Sequence, residues 1–109
     1  MADYDEDWIR ASIPHFSPNK IGWVFCRHKY KESLLREIWD YFDLNSKFWM
    51  RNYHFSLEFL REVRDRMHKE FWHEIIIIND VLTKEEKEKI VKEFNLPYVY
   101  KNWEWEKKV

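Results

Sequence analysis

Seven Trp, six Tyr and eight Phe share a chain of 109 residues with a single glycine, Gly22. Average usage puts glycine near ~7% of residues, so this balance departs far from that of an ordinary domain. Each ring buries roughly 150–250 Å² on packing, and Trp and Tyr end in a polar group that needs a partner. A chain this short has no core large enough for every ring, so some are expected at a surface. Trp and Tyr at a surface are enriched among interface hot spots. The feature points to binding rather than to chemistry.

The length suits a single domain that buries a real core without metal or disulfide staples. Cys26 is the one cysteine; an intrachain disulfide is excluded, which suits a reducing compartment. The start, Met1-Ala2-Asp3-Tyr4-Asp5-Glu6-Asp7, is acidic and lacks the basic-then-apolar layout of a signal peptide. The aliphatic run Ile75 to Ile78 falls far short of the ~20 residues a membrane helix needs. A soluble, cytoplasmic protein with no membrane partner is expected. The absence of Gln, the single Thr and the wealth of Lys and Glu lean toward a thermophile-like composition, against which six Asn argue.

A net charge of −1 hides a patchwork. Residues 1–19 are acidic, and residues 20–36 are basic through Lys20, Arg27, Lys29, Lys31 and Arg36 against Glu32. Residues 37–44 return to acidic through Glu37, Asp40 and Asp43. A domain that grips a phosphate backbone usually carries a basic excess overall, so any such contact here would come from a local patch.

Along the chain, residues 1–19 read as an irregular acidic arm broken by Pro14 and Pro18, and residues 20–109 as one α+β domain. Ile21 to His28 is β-branched and aromatic and reads as a strand. Leu34, Leu35, Ile38, Trp39 and Phe42 fall at helical spacing, with Asn45-Ser46 closing that helix. A short strand near 49–55 and a helix over 57–72 follow, the helix laced by Arg61–Asp65, Glu62–Arg66 and Asp65–Lys69 pairs. His73 to Asp80, with four consecutive Ile, reads as a strand buried on both faces. Thr83-Lys84-Glu85-Glu86 is a capping box that opens a helix to Phe94, stopped by Asn95-Leu96-Pro97. Residues 98–106 read as a last strand, with Val99, Lys101, Trp103 and Trp105 on one side and Tyr98, Tyr100, Asn102, Glu104 and Glu106 on the other. The expected fold is a small two-layer α+β sandwich, with helices on one face of a three- to four-stranded sheet and an irregular N-terminal arm.

Catalytic patterns are weak. Glu70-Phe71-Trp72-His73 gives one Glu-x-x-His copy where a di-iron bundle needs two and further carboxylates. Asp80 with Glu106-Lys107-Lys108 echoes Mg²⁺-dependent nucleases, but the second motif lies at the chain end rather than inside a strand. Cys26 and His28, two apart on a strand, would stand roughly 6.5–7 Å apart, beyond hydrogen-bond reach. No cofactor and no metal are expected, and the chain reads as a non-enzyme.

Two binding readings remain. In the first, Tyr98, Tyr100, Trp103 and Trp105, with Trp8 on the acidic arm as a second contact, dock the chain on a larger protein or on a second copy. It would serve as a regulator, an assembly subunit or a viral-type inhibitor of host nucleic-acid machinery. In the alternative, the 20–31 strand holds single-stranded nucleic acid by stacking on Trp23 and Phe25 beside Arg27, Lys29 and Lys31. Exposure of both rings beside the cations would discriminate the two.

Overall fold

Ser17 and Pro18 begin a helix where the sequence suggested only the end of an arm. The Ser17 hydroxyl accepts from the Lys20 backbone N–H at 3.2 Å. Pro18 occupies the first helical position, where its missing N–H costs nothing and its fixed φ suits a helix. The computed structural model describes residues 5–27, 29–42 and 49–108. Helix α1 spans Glu6–Ser12, a 3-10 turn Ile13–His15, and α2 Pro18–Arg27. The stretch from Ile21 onward is therefore helical rather than a strand. Ile21, Val24 and Phe25, at helical spacing, all enter the core. Residues 6–15 are not irregular either: Asp5 caps α1 by accepting from the Asp7 N–H at 2.7 Å, and Ile9 and Ile13 are buried.

Helix α3, Glu32–Ile38, continues into a 3-10 turn at Trp39–Tyr41, as its apolar spacing predicts. The helix end expected at Asn45-Ser46 lies outside the described residues. Residues 49–52 form another 3-10 turn, and 53–56 have no regular structure, so no strand forms near 49–55. Helix α4 is Leu57–Val63, capped by the Ser56 hydroxyl, which accepts from the Phe59 N–H at 3.1 Å. Ser56 in turn donates its own N–H and O–H to the Glu32 carboxylate, both at 2.8 Å, tying the starts of α3 and α4 together.

The expected single helix over 57–72 is instead broken. A 3-10 turn at Arg64–Arg66 ends the first part, and α5 restarts at Lys69–His73. The Arg66 carbonyl freed by the break accepts from Trp39 Nε1 at 3.3 Å. The anticipated pairs along one helix also give way to pairs between helices. Arg61 takes Glu93 in a two-pronged contact at 2.5 and 2.6 Å, Arg66 takes Asp40, and Arg36 takes Glu62.

The four Ile belong to helix, not strand. Helix α5 widens into a π turn over Glu74–Ile78, closed by the Asn79 N–H donating to the Glu74 carbonyl at 2.8 Å. Ile75 and Ile76 are fully buried. Strand preference reflects fit to a half-buried sheet face, and among the described residues no strand pairs with this segment, the sheet being β1 and β2 alone. The capping box forms as read: Thr83 accepts from the Glu86 N–H and Glu86 from the Thr83 N–H, opening α6, Lys84–Phe94. Asn95, in the left-handed region at φ 52°, ends it.

The last strand is two. β1, Tyr98–Lys101, and β2, Glu104–Lys107, pair antiparallel around a two-residue loop. The fold thus mixes helix and strand, but the three- to four-stranded sheet is corrected to six α-helices and one two-stranded antiparallel sheet among the described residues. None of those helices is long and apolar enough to cross a membrane. Aromatic rings dominate the core. Phe25, Trp39, Phe42, Trp49, Tyr53, Phe55, Phe59 and Phe71 are buried, and the rings in contact have centroids 4.6–6.0 Å apart.

Two expectations concern this framework. Gly22 lies inside α2, where an added Cβ would meet nothing within 4 Å. Gly22→Ala is expected to stabilise the chain by about 0.5–1 kcal/mol, read as a higher denaturant midpoint at unchanged slope. The second concerns acid. The Thr83 backbone N–H holds the Glu86 carboxyl below its ordinary value, Arg10 does so for Glu37, and Arg61 for Glu93. The unfolded chain then binds more protons as pH falls, so stability present above the ordinary carboxyl value of 4.5 is lost as these groups titrate below it. The thermal midpoint is expected to drop on acidification below about pH 4.5. Glu86→Gln, which keeps the capping geometry without the titrating group, should flatten part of that slope.

Candidate functional site

The hairpin carries four aromatic residues, Tyr98, Tyr100, Trp103 and Trp105, of which only Tyr98 is buried. Its register places Tyr98 opposite Lys107, Val99 opposite Glu106, Tyr100 opposite Trp105 and Lys101 opposite Glu104. Paired residues share a face, so Tyr98, Tyr100, Trp105 and Lys107 lie on one side, and Val99, Lys101, Glu104 and Glu106 on the other. The alternation expected for a single strand separated Tyr100 from Trp105. The two-residue loop reverses the chain and brings them together, with ring centroids 5.4 Å apart. That face turns inward: Tyr98 is buried, Tyr100 and Trp105 are half-buried, and Lys84 of α6 lies over the Tyr100 ring at 4.9 Å. The outer face carries a Lys101–Glu106 ion pair at 3.3 Å.

Trp103 stands apart from all of these. It is 91% exposed at the tip, in a loop whose two central residues both have positive φ, Asn102 at 56° and Trp103 at 68°. Two-residue hairpin loops of this kind match the strand twist, and they favour Asn followed by Gly because φ is positive at both positions. Here the glycine place holds the largest side chain available. A bulky residue held in the left-handed region costs of order 1–3 kcal/mol, and such strain clusters at ligand clamps and other functional sites.

The remaining sequence-predicted residues do not join the tip. Trp8, 39% exposed, sits on α1 with its ring 5.5 Å from Phe16. In the basic segment, Phe25 is fully buried and Trp23 is 44% exposed, so the pair of exposed rings required for strand stacking is not formed. Helix periodicity instead groups Lys20, Trp23 and Arg27, with the Lys20 ammonium 5.0 Å and the Arg27 guanidinium 4.7 Å from the Trp23 ring centre. Lys29 turns elsewhere, donating to the Asn52 carbonyl and lying 4.9 Å over the Tyr53 ring, and burial pulls its ammonium below the ordinary lysine value. Lys31 is exposed at the start of α3. His28 lies outside the described residues.

Chemical centres are sparse. Burial pushes the Cys26 thiol above its ordinary value, against Arg51 and Lys29, the reverse of what a nucleophile needs. Among the described residues no three of His, Cys, Asp and Glu stand where they could hold a metal ion. Glu106 is engaged by Lys101, and Asp80 follows the π turn, its N–H donating to the Arg51 carbonyl at 2.9 Å. Lys87 is buried but structural, donating to the Asn79 carbonyl at 2.8 Å, with burial lowering its ammonium. One feature the sequence did not reveal is a trough beside the hairpin, between α5, the end of α6 and the base of β1 and β2. It depends on elements distant in the chain, and no local pattern marks it.

Comparison of the chain with family models, with curated proteins and with solved structures gives no match.

Proposed function

We propose that this chain is a small non-catalytic binding protein, a regulator or assembly subunit, that docks on a larger protein by inserting Trp103. The observation that carries the reading is a fully presented Trp held at φ 68° in the glycine place of a hairpin loop. Folding alone gains nothing from that arrangement: the ring buries almost no area and the backbone is strained. A partner pocket supplies the missing return, since a buried Trp anchor ranks among the strongest contacts an interface makes. Tyr100 and Trp105 serve as the support that fixes the hairpin on the body rather than as anchors.

Site-specific photocross-linking tests this. A benzoyl-phenylalanine replacing Trp103 is expected to yield one discrete cross-linked product in cells that make the chain naturally. The same group replacing Tyr41, which is also exposed, is expected to yield none. Equal products from both positions, or none from 103, would set the reading aside.

A second reading is supported by the Lys20–Trp23–Arg27 grouping on α2. It places a half-exposed ring beside two cations, a combination suited to stacking a base and holding a phosphate. Fluorescence anisotropy with single-stranded oligonucleotides across a salt series, on wild type and Lys20→Ala/Arg27→Ala, decides it. Salt-sensitive binding lost in the variant would favour nucleic acid; no binding at low salt would remove it.

A further inference from the structure

We infer that the trough at the base of the hairpin takes an extended acidic segment of the protein partner, reading a carboxylate between Lys69 and Lys107 and an adjacent apolar side chain on Trp72. Three hollows run together there. The central one, about 420 Å³, is lined by Lys69, Trp72, Leu96, Pro97, Tyr98 and Lys107. A second, about 240 Å³, shares Lys69, Tyr98 and Lys107 and continues past Glu70 and His73. A third, about 360 Å³, shares Trp72 and Leu96 and runs toward Arg64 and Phe94. Adjoining shallow hollows that share lining residues suit a chain lying across them better than a compact small molecule.

Charge decides what kind of chain. Lys69 rises from α5 and Lys107 from the end of β2, and neither makes an ion pair among the described residues. Among the described residues no acid lines the central hollow, and Glu93, on the continuation toward Arg64, is held by Arg61. Two free ammonium groups facing one hollow repel each other, and a carboxylate between them removes that repulsion. The floor is apolar and firm, because Trp72 packs on Phe94 with centroids 4.8 Å apart. The Lys108 N–H donates to the Pro97 carbonyl at 2.8 Å, fixing the strand end that carries Lys107. Tyr98 and Lys107 form the base pair of the hairpin whose tip is Trp103. The trough and the anchor therefore stand roughly 15 Å apart on one structure, a span one partner covers.

The inference rests on the docking reading only in assigning both contacts to one partner, and the test separates them. The probe is a fluorescein-labelled peptide of alternating Asp and Phe, acetylated and amidated so that side chains carry all its charge. Its anisotropy titration at low salt is expected to show about tenfold tighter binding than the Asn counterpart, from two exposed charge pairs. Lys69→Glu/Lys107→Glu is expected to abolish that preference and to bind the corresponding Lys–Phe peptide instead. Both positions are exposed, so the variant should fold, which circular dichroism checks. Trp103→Gly should leave peptide binding unchanged while reducing the cross-linked partner's affinity, whereas the lysine variant should reduce both. Equal affinity for Asp and Asn peptides, or an unchanged preference in the charge-reversed variant, would overturn the inference while leaving the Trp103 anchor standing.

Discussion

Asn79→Ala is expected to cost the fold about 3–5 kcal/mol, a large share of the roughly 5–15 kcal/mol that holds a typical domain. Asn79 is buried at the exit of the π turn and its side chain makes four hydrogen bonds, each 2.8 Å. The amide nitrogen donates to the carbonyls of Met50 and Tyr53. The amide oxygen accepts from the N–H groups of Val81 and Leu82. Its backbone closes the π turn on one side and receives the Lys87 ammonium on the other. Alanine leaves four backbone groups to find water or go unpaired, at about 1–3 kcal/mol for each that stays buried and unsatisfied. Asn79→Asp should be comparably damaging. It keeps the acceptor for Val81 and Leu82 but aims a carboxylate oxygen at two carbonyls. Denaturant midpoints measure both, with the exposed Asn19→Ala expected within about 0.5 kcal/mol of wild type. A loss below about 1 kcal/mol in Asn79→Ala would mean that water replaces the amide without penalty.

The parts of this fold that local chemistry decides were legible before the structure. The capping box at Thr83-Lys84-Glu85-Glu86 formed as read because both of its bonds lie within four residues. The spacing of Leu34, Leu35 and Ile38 likewise gave α3, since a single apolar stripe admits one solution. What failed was the ranking of conflicting local signals. Pro14 and Pro18 read as breakers, yet Pro14 sits in the 3-10 turn that continues α1 and Pro18 opens α2 behind the Ser17 hydroxyl. The β-branched run Ile75 to Ile78 and the aromatic run Ile21 to Phe25 satisfy strand propensity and helical burial alike. Their i,i+4 partners decided the outcome: Ile21 with Phe25, and Phe71 with Ile75, are buried together. The candidate site divides the same way. The sequence offers Trp103 only as one of four rings, with Tyr98, Tyr100 and Trp105, on a single strand over 98–106, and a single strand holds no loop to present it. Asn102 followed by a residue other than Gly concealed a turn that Asn-Gly would have announced.

Trp103→Gly is expected to move stability and binding in opposite directions. Glycine adopts a φ near 68° without a Cβ penalty, so the exchange relieves the strain of the loop. The ring it removes is almost wholly solvated and contributes little burial, so the net effect is a gain of about 1 kcal/mol. In a domain of this size the thermal midpoint should rise by about 4 °C. The affinity for the partner cross-linked at position 103 should fall at least about 30-fold, the scale of losing one hot-spot Trp. Trp103→Ala separates the two effects. It loses the ring but keeps a Cβ in the left-handed region, so binding should fall equally while the midpoint stays close to that of wild type. A structural role for Trp103 predicts a different pattern, in which both variants lose stability and binding together in proportion. The two variants thus separate the strain of the loop, which Gly relieves and Ala keeps, from the contact proposed for the ring, which both remove.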